Sequence, residues 1–175
     1  DAHFYDTTDG AYFMTPQDGE ALIMRPRSIF DNAVPNANAT MLEVLAHLGA
    51  LTGDANYLSR GVLLARAFSS QALRNGLGAA TFINAYETLA TPLSITIIGA
   101  ANEFKQAINQ SGLPAYTLQQ CDDANTLPDN HPAKGKTAID GKPTAYVCVG
   151  QTCSLPLTDP TALQEKLRPE NIWPR

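Results

Sequence analysis

The sequence is poor in charge, in basic clusters and in long apolar runs, and each deficit excludes a class of protein. Charged residues make up 17% of the 175 residues, below the roughly 25% of an average soluble domain. The 12 Lys and Arg are outnumbered by 17 Asp and Glu and form no cluster, so we expect no nucleic-acid partner. No apolar run approaches the roughly 18 residues that a membrane helix needs, so we expect no membrane partner. The low charge also suggests that part of the surface is normally covered.

The signature motifs of common cofactor and metal sites are missing as well. Gly99 follows an apolar run without the further glycines of a dinucleotide fingerprint, and the Gly-Lys-Thr at 135–137 lacks the upstream glycine of a P-loop. His3, His47 and His131 are scattered and show no metal-ligand spacing. We therefore expect no metal and no cofactor.

Cysteine is scarce and odd in number. Cys121, Cys148 and Cys153 do not make the even framework of a small secreted domain. The last two have neither the C-x-x-C redox spacing nor a second metal-binding pair, so buried thiols and a local disulfide or redox pair both remain open. The chain begins DAHFYDTTDG without a visible signal peptide. We expect a cytoplasmic location and a piece of something longer.

What the sequence does contain predicts an α+β fold in two domains. The first domain covers residues 1–91 and begins with a predicted β-hairpin. Its two short β-rich runs are Gly10–Thr15 and Glu20–Arg27, and a Pro-Gln-Asp-Gly turn lies between them. Residues 36–91 then show helical periodicity. Breaks at Leu51–Asp54 and after Arg74 divide them into three helices.

The second domain, residues 92–175, is expected to be a small α/β lobe with a parallel βαβ unit. Its patterns predict a strand, a helix, two strands and a last helix, at 93–100, 102–109, 114–118, 144–149 and 160–167. Residues 120–142 are polar and contain Gly and Pro, which indicates a flexible insertion.

The helices carry more apolar surface than three helices can cover for one another. Leu58, Val62 and Leu63 spread apolar character around most of the second helix. A helix that is apolar on more than one face is covered on more than one face. We expect the cover to come from a missing N-terminal part of the same protein or from another copy of the chain.

Acidic residues are dense at the start of the chain, where six of them face two bases within residues 1–35. Asp6, Asp9 and Asp31 flank the expected hairpin, which carries Arg25 and Arg27. Sugar-processing sites pair two carboxylates, one as the acid and one as the base or nucleophile. The alternative, which the residue types and their spacing favour, is that these acids form turns and carry surface charge.

Several segments, in this order, resemble one known family. They are D-x-x-D-G-A-Y-F-M-T from Asp6, E-A-L-I-M-R-P-R from Glu20, D-N-A-V-P-N-A-N-A-T from Asp31, and A-Y-V-C-V-G-Q-T-C-S-L-P-L-T-D-P-T-A-L from Ala145. This combination is similar to YyaL-type proteins, which have spermatogenesis-associated relatives in animals. Members of that family carry an N-terminal thioredoxin-like domain followed by a six-hairpin α-toroid akin to sugar epimerases and glycosidases.

The resemblance implies that this chain is the C-terminal portion of a longer, carbohydrate-related protein and is inactive alone. Its three helices would belong to an incomplete α/α toroid. Asp31, Ala33, Pro35 and Asn38 match a loop pattern that relatives place at the inner end of the toroid. The pair Cys148 and Cys153 would match paired family cysteines, as a disulfide or a redox pair.

Together, the acidic cluster and the matched loop define a candidate site. We expect Asp6 and Asp31 to be its catalytic carboxylates and Arg25, Arg27 and Asn38 to hold the polar groups of a small carbohydrate. The competing hypothesis is a non-enzymatic redox-accessory or partner-binding module of a thioredoxin-like protein, motivated by the paired cysteines.

Overall fold

The structure, a computed structural model, describes residues 1–172 and has an α+β fold. Its regular elements are, in chain order, α1 (Ala37–Thr52), α2 (Ala55–Arg74), α3 (Ala80–Ala90), β1 (Leu93–Ile98), α4 (Asn102–Gln110), β2 (Thr117–Cys121), β3 (Thr144–Val149), β4 (Thr152–Cys153), α5 (Pro160–Lys166) and α6 (Pro169–Ile172). They form two compact units. Among the described residues, the first contains 1–49 and 55–90, and the second contains 50–54 and 91–172.

The predicted N-terminal hairpin is not formed, which corrects the expectation for residues 1–35. Regular pairing there is reduced to a single antiparallel bridge between Tyr5 and Tyr12. The second expected strand is largely solvated, since Ile23 is fully exposed and Met24 is 76% exposed. A strand whose apolar side chains have no core to cover gains little from pairing.

The three predicted helices are confirmed, and Asn36 caps the first of them, α1. The side chain of Asn36 accepts a hydrogen bond from the backbone N–H of Asn38 at 2.8 Å, which is the N-cap interaction. Gly53 separates α1 from α2 with a φ of +68°, and a Cβ there would clash with the carbonyl group of Asn130. Glycine is therefore required at this break.

The core of the first unit lies between the helices. Phe68 on α2 and Phe82 on α3 meet edge to face with ring centroids 6.2 Å apart. Gly61 lets these two helices approach closely, because a Cβ there would lie 2.8 Å from a methyl group of Leu89. The structure thus builds a three-helix core. Membership of a toroid stays a prediction.

The second unit is built on a four-stranded mixed sheet with the order β2-β1-β3-β4. Strand β1 pairs in parallel with β2, which confirms the βαβ unit, and antiparallel with β3. Every residue of β1 is buried, as its continuous apolar run predicted. One face of the sheet packs on α4 and α5 through an apolar cluster that includes Ile95, Phe104 and Leu163.

The segment 120–142, expected to be a flexible polar insertion, contributes to the core of the second unit. Leu127 and Ala133 are buried in a cluster with Ile98, Tyr146 and Cys148 on the other face of the sheet. His131 in the same segment is only 3% exposed, and burial lowers its pKa. A few apolar side chains spaced along a polar stretch are enough to fix it against the sheet.

Candidate functional site

Two of the five residues predicted to form a site come together at the protein surface. The guanidinium Nη1 of Arg27 lies 2.7 Å from a carboxylate oxygen of Asp6 and 2.6 Å from one of Asp9. Asp6 also accepts the backbone N–H of Thr8 at 2.9 Å. That hydrogen bond, with Arg27 and Arg25 nearby, lowers the pKa of Asp6. Asp6 is thus an ionised member of an ion-pair cluster in a turn.

Asp31, the other predicted carboxylate, lies in a loop and accepts hydrogen bonds from the backbone at the N-terminal ends of α1 and α3. One of its carboxylate oxygens accepts the backbone N–H of Asn36 at 3.0 Å, and the other accepts that of Thr81, in the first turn of α3, at 2.9 Å. Burial raises the pKa of Asp31, but the two backbone N–H groups outweigh it and leave the pKa below its ordinary value. Asp31 therefore caps α3 from a distance.

Asn38 is fully buried, and both polar atoms of its amide group are hydrogen-bonded. The amide oxygen accepts the backbone N–H of Tyr12 at 2.9 Å. The amide nitrogen donates to the carbonyl oxygens of Tyr12 and Ser28 at 2.9 and 3.0 Å. One side chain thus replaces a partner strand for two separate points of the N-terminal segment.

Arg25 also acts on the backbone of the N-terminal segment. Its guanidinium group donates to the carbonyl oxygens of His3 and Thr15 at 2.8 and 2.7 Å. It also lies 4.0 Å from the centre of the Phe13 ring. The structure therefore brings Asp6 and Arg27 together and gives Asp31, Asn38 and Arg25 separate structural partners. Their joint role in carbohydrate chemistry stays a prediction.

Sequence reasoning missed a second polar cluster, centred on Arg60 of α2. Arg60 pairs with the carboxylate of Asp1, donates to the hydroxyl oxygen of Tyr12 at 2.9 Å and lies 4.5 Å from the centre of the Tyr5 ring. Burial raises the pKa of Tyr12 and the charge of Arg60 partly opposes the rise. The sequence signal that could have pointed to this cluster is that Arg60 is the single charged residue in the largely apolar stretch 57–65.

The cysteines are the clearest chemical feature of the second unit. Cys148 on β3 and Cys153 on β4 are register partners and are joined in a disulfide. Cys148 is fully buried, whereas Cys153 is partly exposed, with its Sγ 3.4 Å from the carbonyl oxygen of Pro132. Cys121 is a free thiol, and burial, with Asp123 and Asp122, raises its pKa.

A groove of about 700 Å³ lies along α2 and α3. Its lining is mostly apolar and includes Val62, Phe82, Ile83 and Tyr86, with Arg66 as the one charged member. Three of these apolar side chains are substantially exposed, Val62 at 40%, Ile83 at 37% and Tyr86 at 51%. Contiguous exposed apolar surface of this kind is typical of an interaction site.

Within residues 1–172, His, Cys, Asp and Glu side chains form no group of three or more that could hold a metal ion. The helices in this part of the chain are too short or too polar to cross a membrane.

Comparison with known proteins gives one group of relatives. The chain is 27% identical to human Spermatogenesis-associated protein 20 over 179 residues, which cover 97% of this chain and 23% of the human protein. The rat and mouse proteins of the same name are 26% and 25% identical over 177 residues, or 95% of this chain and 22% of theirs. The chain thus spans less than a quarter of the length of these relatives. No family model and no solved structure matches.

Proposed function

We propose that this chain is a non-catalytic, partner-binding part of a longer protein related to Spermatogenesis-associated protein 20. The observation that carries the proposal is the apolar groove along α2 and α3. The relatives are more than four times as long as the matched segment, so a comparable protein has ample chain to cover the groove. The occupant we propose is another part of that same protein.

The shape and chemistry of the groove favour a helix as this occupant. Grooves between two packed helices take the apolar face of a third, with contacts at i, i+3, i+4 and i+7. Arg66 lines the groove and favours an acidic residue on the incoming helix. Burying Val62 and Ile83 beneath it would remove exposed apolar area from water, at roughly 25 cal/mol per Å².

The test places a charge in the groove of the full-length protein. Ile83→Asp is expected to lower the melting temperature by several degrees, because a covered groove would bury the carboxylate in mostly apolar surroundings. Leu155→Asp is the matched control, since Leu155 is 84% exposed and lies outside the groove. If both variants melt like the wild type, the groove is open in the whole protein and the proposal is wrong.

The disulfide favours a second candidate function, a redox-accessory role. In a reducing cytoplasm, where we propose that the protein resides, disulfides that do form are usually transient and catalytic or redox-sensing. The resemblance to YyaL-type proteins supplies a thioredoxin-like domain as the redox partner. The intact mass before and after reduction is the first test. A gain of two hydrogen atoms supports a reducible Cys148–Cys153 bond, and no gain contradicts it.

A carbohydrate-related reaction remains the finer proposal from the resemblance. It would require Asp31 to exchange its two backbone partners for a substrate. Calorimetric titration of the full-length protein with sugars tests it, with Asp31→Asn as the variant that should abolish binding. An absence of binding in the wild type would remove the proposal.

A further inference from the structure

The two cysteines of the disulfide differ in exposure. Cys148 belongs to the apolar cluster with Leu127 and Tyr146 and is fully buried, and Cys153 packs against the same cluster from the edge of the sheet. Cys153 belongs to β4, the two-residue strand at the outer edge of the sheet, and is partly exposed. Its neighbour Thr152 is exposed. An approaching molecule therefore meets the β4 side of the bond first.

We infer that thiol–disulfide exchange at this bond begins at Cys153, with Cys148 as the leaving group. The inference rests on the redox-accessory candidate and adds the direction of attack. Exchange requires an attacking thiolate in line with the bond to be broken, so access decides which sulfur is attacked. An attack on Cys148 would have to come through the packed cluster that holds Leu127 and Tyr146.

The reductant is a protein dithiol or two molecules of a monothiol such as glutathione. Its thiolate bonds to Sγ of Cys153, the bond to Cys148 breaks, and Cys148 leaves as a thiolate that takes a proton from water. A second thiolate of the reductant then attacks the reductant's own sulfur in the mixed disulfide and releases Cys153. The reductant loses two electrons and becomes a disulfide, while Cys148 and Cys153 become thiols.

The buried position of Cys148 also makes the first step slow. A thiolate in apolar surroundings is disfavoured, and a leaving thiol of high pKa leaves more slowly. Exchange is therefore expected to be slower in the folded chain than in the chain unfolded by urea. Cys121 does not compete as the attacking group, because burial and two neighbouring aspartates raise its pKa and keep it protonated at neutral pH.

Two single-thiol variants test the difference in access. Both carry Cys121→Ser, one adds Cys148→Ser and the other adds Cys153→Ser, and each reacts with an aromatic disulfide reagent. Cys153 is expected to react at least about tenfold faster than Cys148 in the folded state, since a buried thiol must wait for local opening. The two rates should become equal in urea. Equal rates in the folded state would overturn the inference.

The wild-type disulfide provides the second arm and does not depend on the folding of the variants. The oxidised chain is treated with glutathione, quenched with acid and mapped by mass spectrometry. Glutathione on Cys153 supports the inference, and glutathione on Cys148 overturns it. If no exchange occurs with the native chain, the redox-accessory function fails, while the reactivity of the single-thiol variants still decides the order of access.

Discussion

The N-terminal segment 1–36 and the sheet of the second unit satisfy their backbone N–H and C=O groups in different ways. In the sheet, backbone groups pair with backbone groups, and β1 has a partner strand on each side. In the N-terminal segment, backbone-to-backbone hydrogen bonds are limited to turns and isolated contacts, and side chains bind several of the remaining backbone groups. Asn38 binds both backbone groups of Tyr12, and Arg25 binds the carbonyl oxygens of His3 and Thr15.

This difference shows where the stability of the fold depends on single side chains. A strand ladder distributes its hydrogen bonds over many residues, and almost any side chain leaves them intact. A segment held by side chains loses several backbone partners when one side chain changes. Substitutions in the segment's anchors should therefore cost more than comparable polar substitutions in the sheet.

The largest expected effect is that of Asn38→Ala. It would leave the N–H of Tyr12 and the carbonyl oxygens of Tyr12 and Ser28 without their partner. With about 1 kcal/mol or more for each buried group, the free energy of unfolding should fall by about 3 kcal/mol. Urea denaturation measures the loss, and hydrogen exchange should show faster exchange at Tyr12.

The control for this substitution is Asn84→Ala. Asn84 is exposed on α3, so its replacement should leave stability unchanged or raise it slightly, because alanine has the higher helix propensity. Equal, small effects of the two substitutions would mean that Asn38 does not organise the N-terminal segment.

Asp31→Asn is expected to have the next largest effect and to depend on pH. The amide keeps one acceptor and loses the other, so about 1 kcal/mol should be lost at neutral pH, as for the removal of an N-cap. Because the folded pKa of Asp31 lies below its ordinary value of 3.8, its contribution is complete above that pH and is lost as the pH falls towards the folded pKa.

The difference in unfolding free energy between wild type and Asp31→Asn should therefore shrink between neutral pH and pH values below 3.8. Asp129→Asn is the control, since its carboxylate is 95% exposed and pairs with Lys134. A difference that stays constant with pH would show that the carboxylate is not what holds Asn36 and Thr81.

The contrast between strand pairing and side-chain anchoring also explains which parts of the structure could be predicted from the sequence. The run Leu93–Ile98 is nearly continuous and apolar, so a buried strand could be predicted, and the last helix, expected at 160–167, is observed as α5. The roles of Asn38 and Asp31 could not be predicted. Their partners lie 26 and 50 residues away along the chain, and no period or spacing connects them.

The residues of 120–142 were misjudged for a related reason. A polar stretch with Gly and Pro has the composition of a solvated loop. Its burial depends on Ala124, Leu127 and Ala133, which pack in one cluster with Ile98 of the sheet. Three apolar side chains in a long segment carry no periodic signal. A contact with a distant strand can be recognised only when the strands are in place.

The smallest expected effect tests the sheet itself, through Thr96→Val on β1. Thr96 is fully buried, and within residues 1–172 its hydroxyl oxygen has no hydrogen-bond partner. Valine has nearly the same shape and removes the cost of a buried, unpaired hydroxyl, so the free energy of unfolding should rise by about 0.5–1 kcal/mol.

Thr144→Val is the matched control, because Thr144 is equally buried and its hydroxyl group is hydrogen-bonded. That hydroxyl accepts the backbone N–H of Ile139 and donates to the carbonyl oxygen of Lys142. Denaturation midpoints should move in opposite directions for the two variants. A loss of stability in both would mean that the hydroxyl of Thr96 has a partner in solution, and that this sheet also relies on side-chain hydrogen bonds.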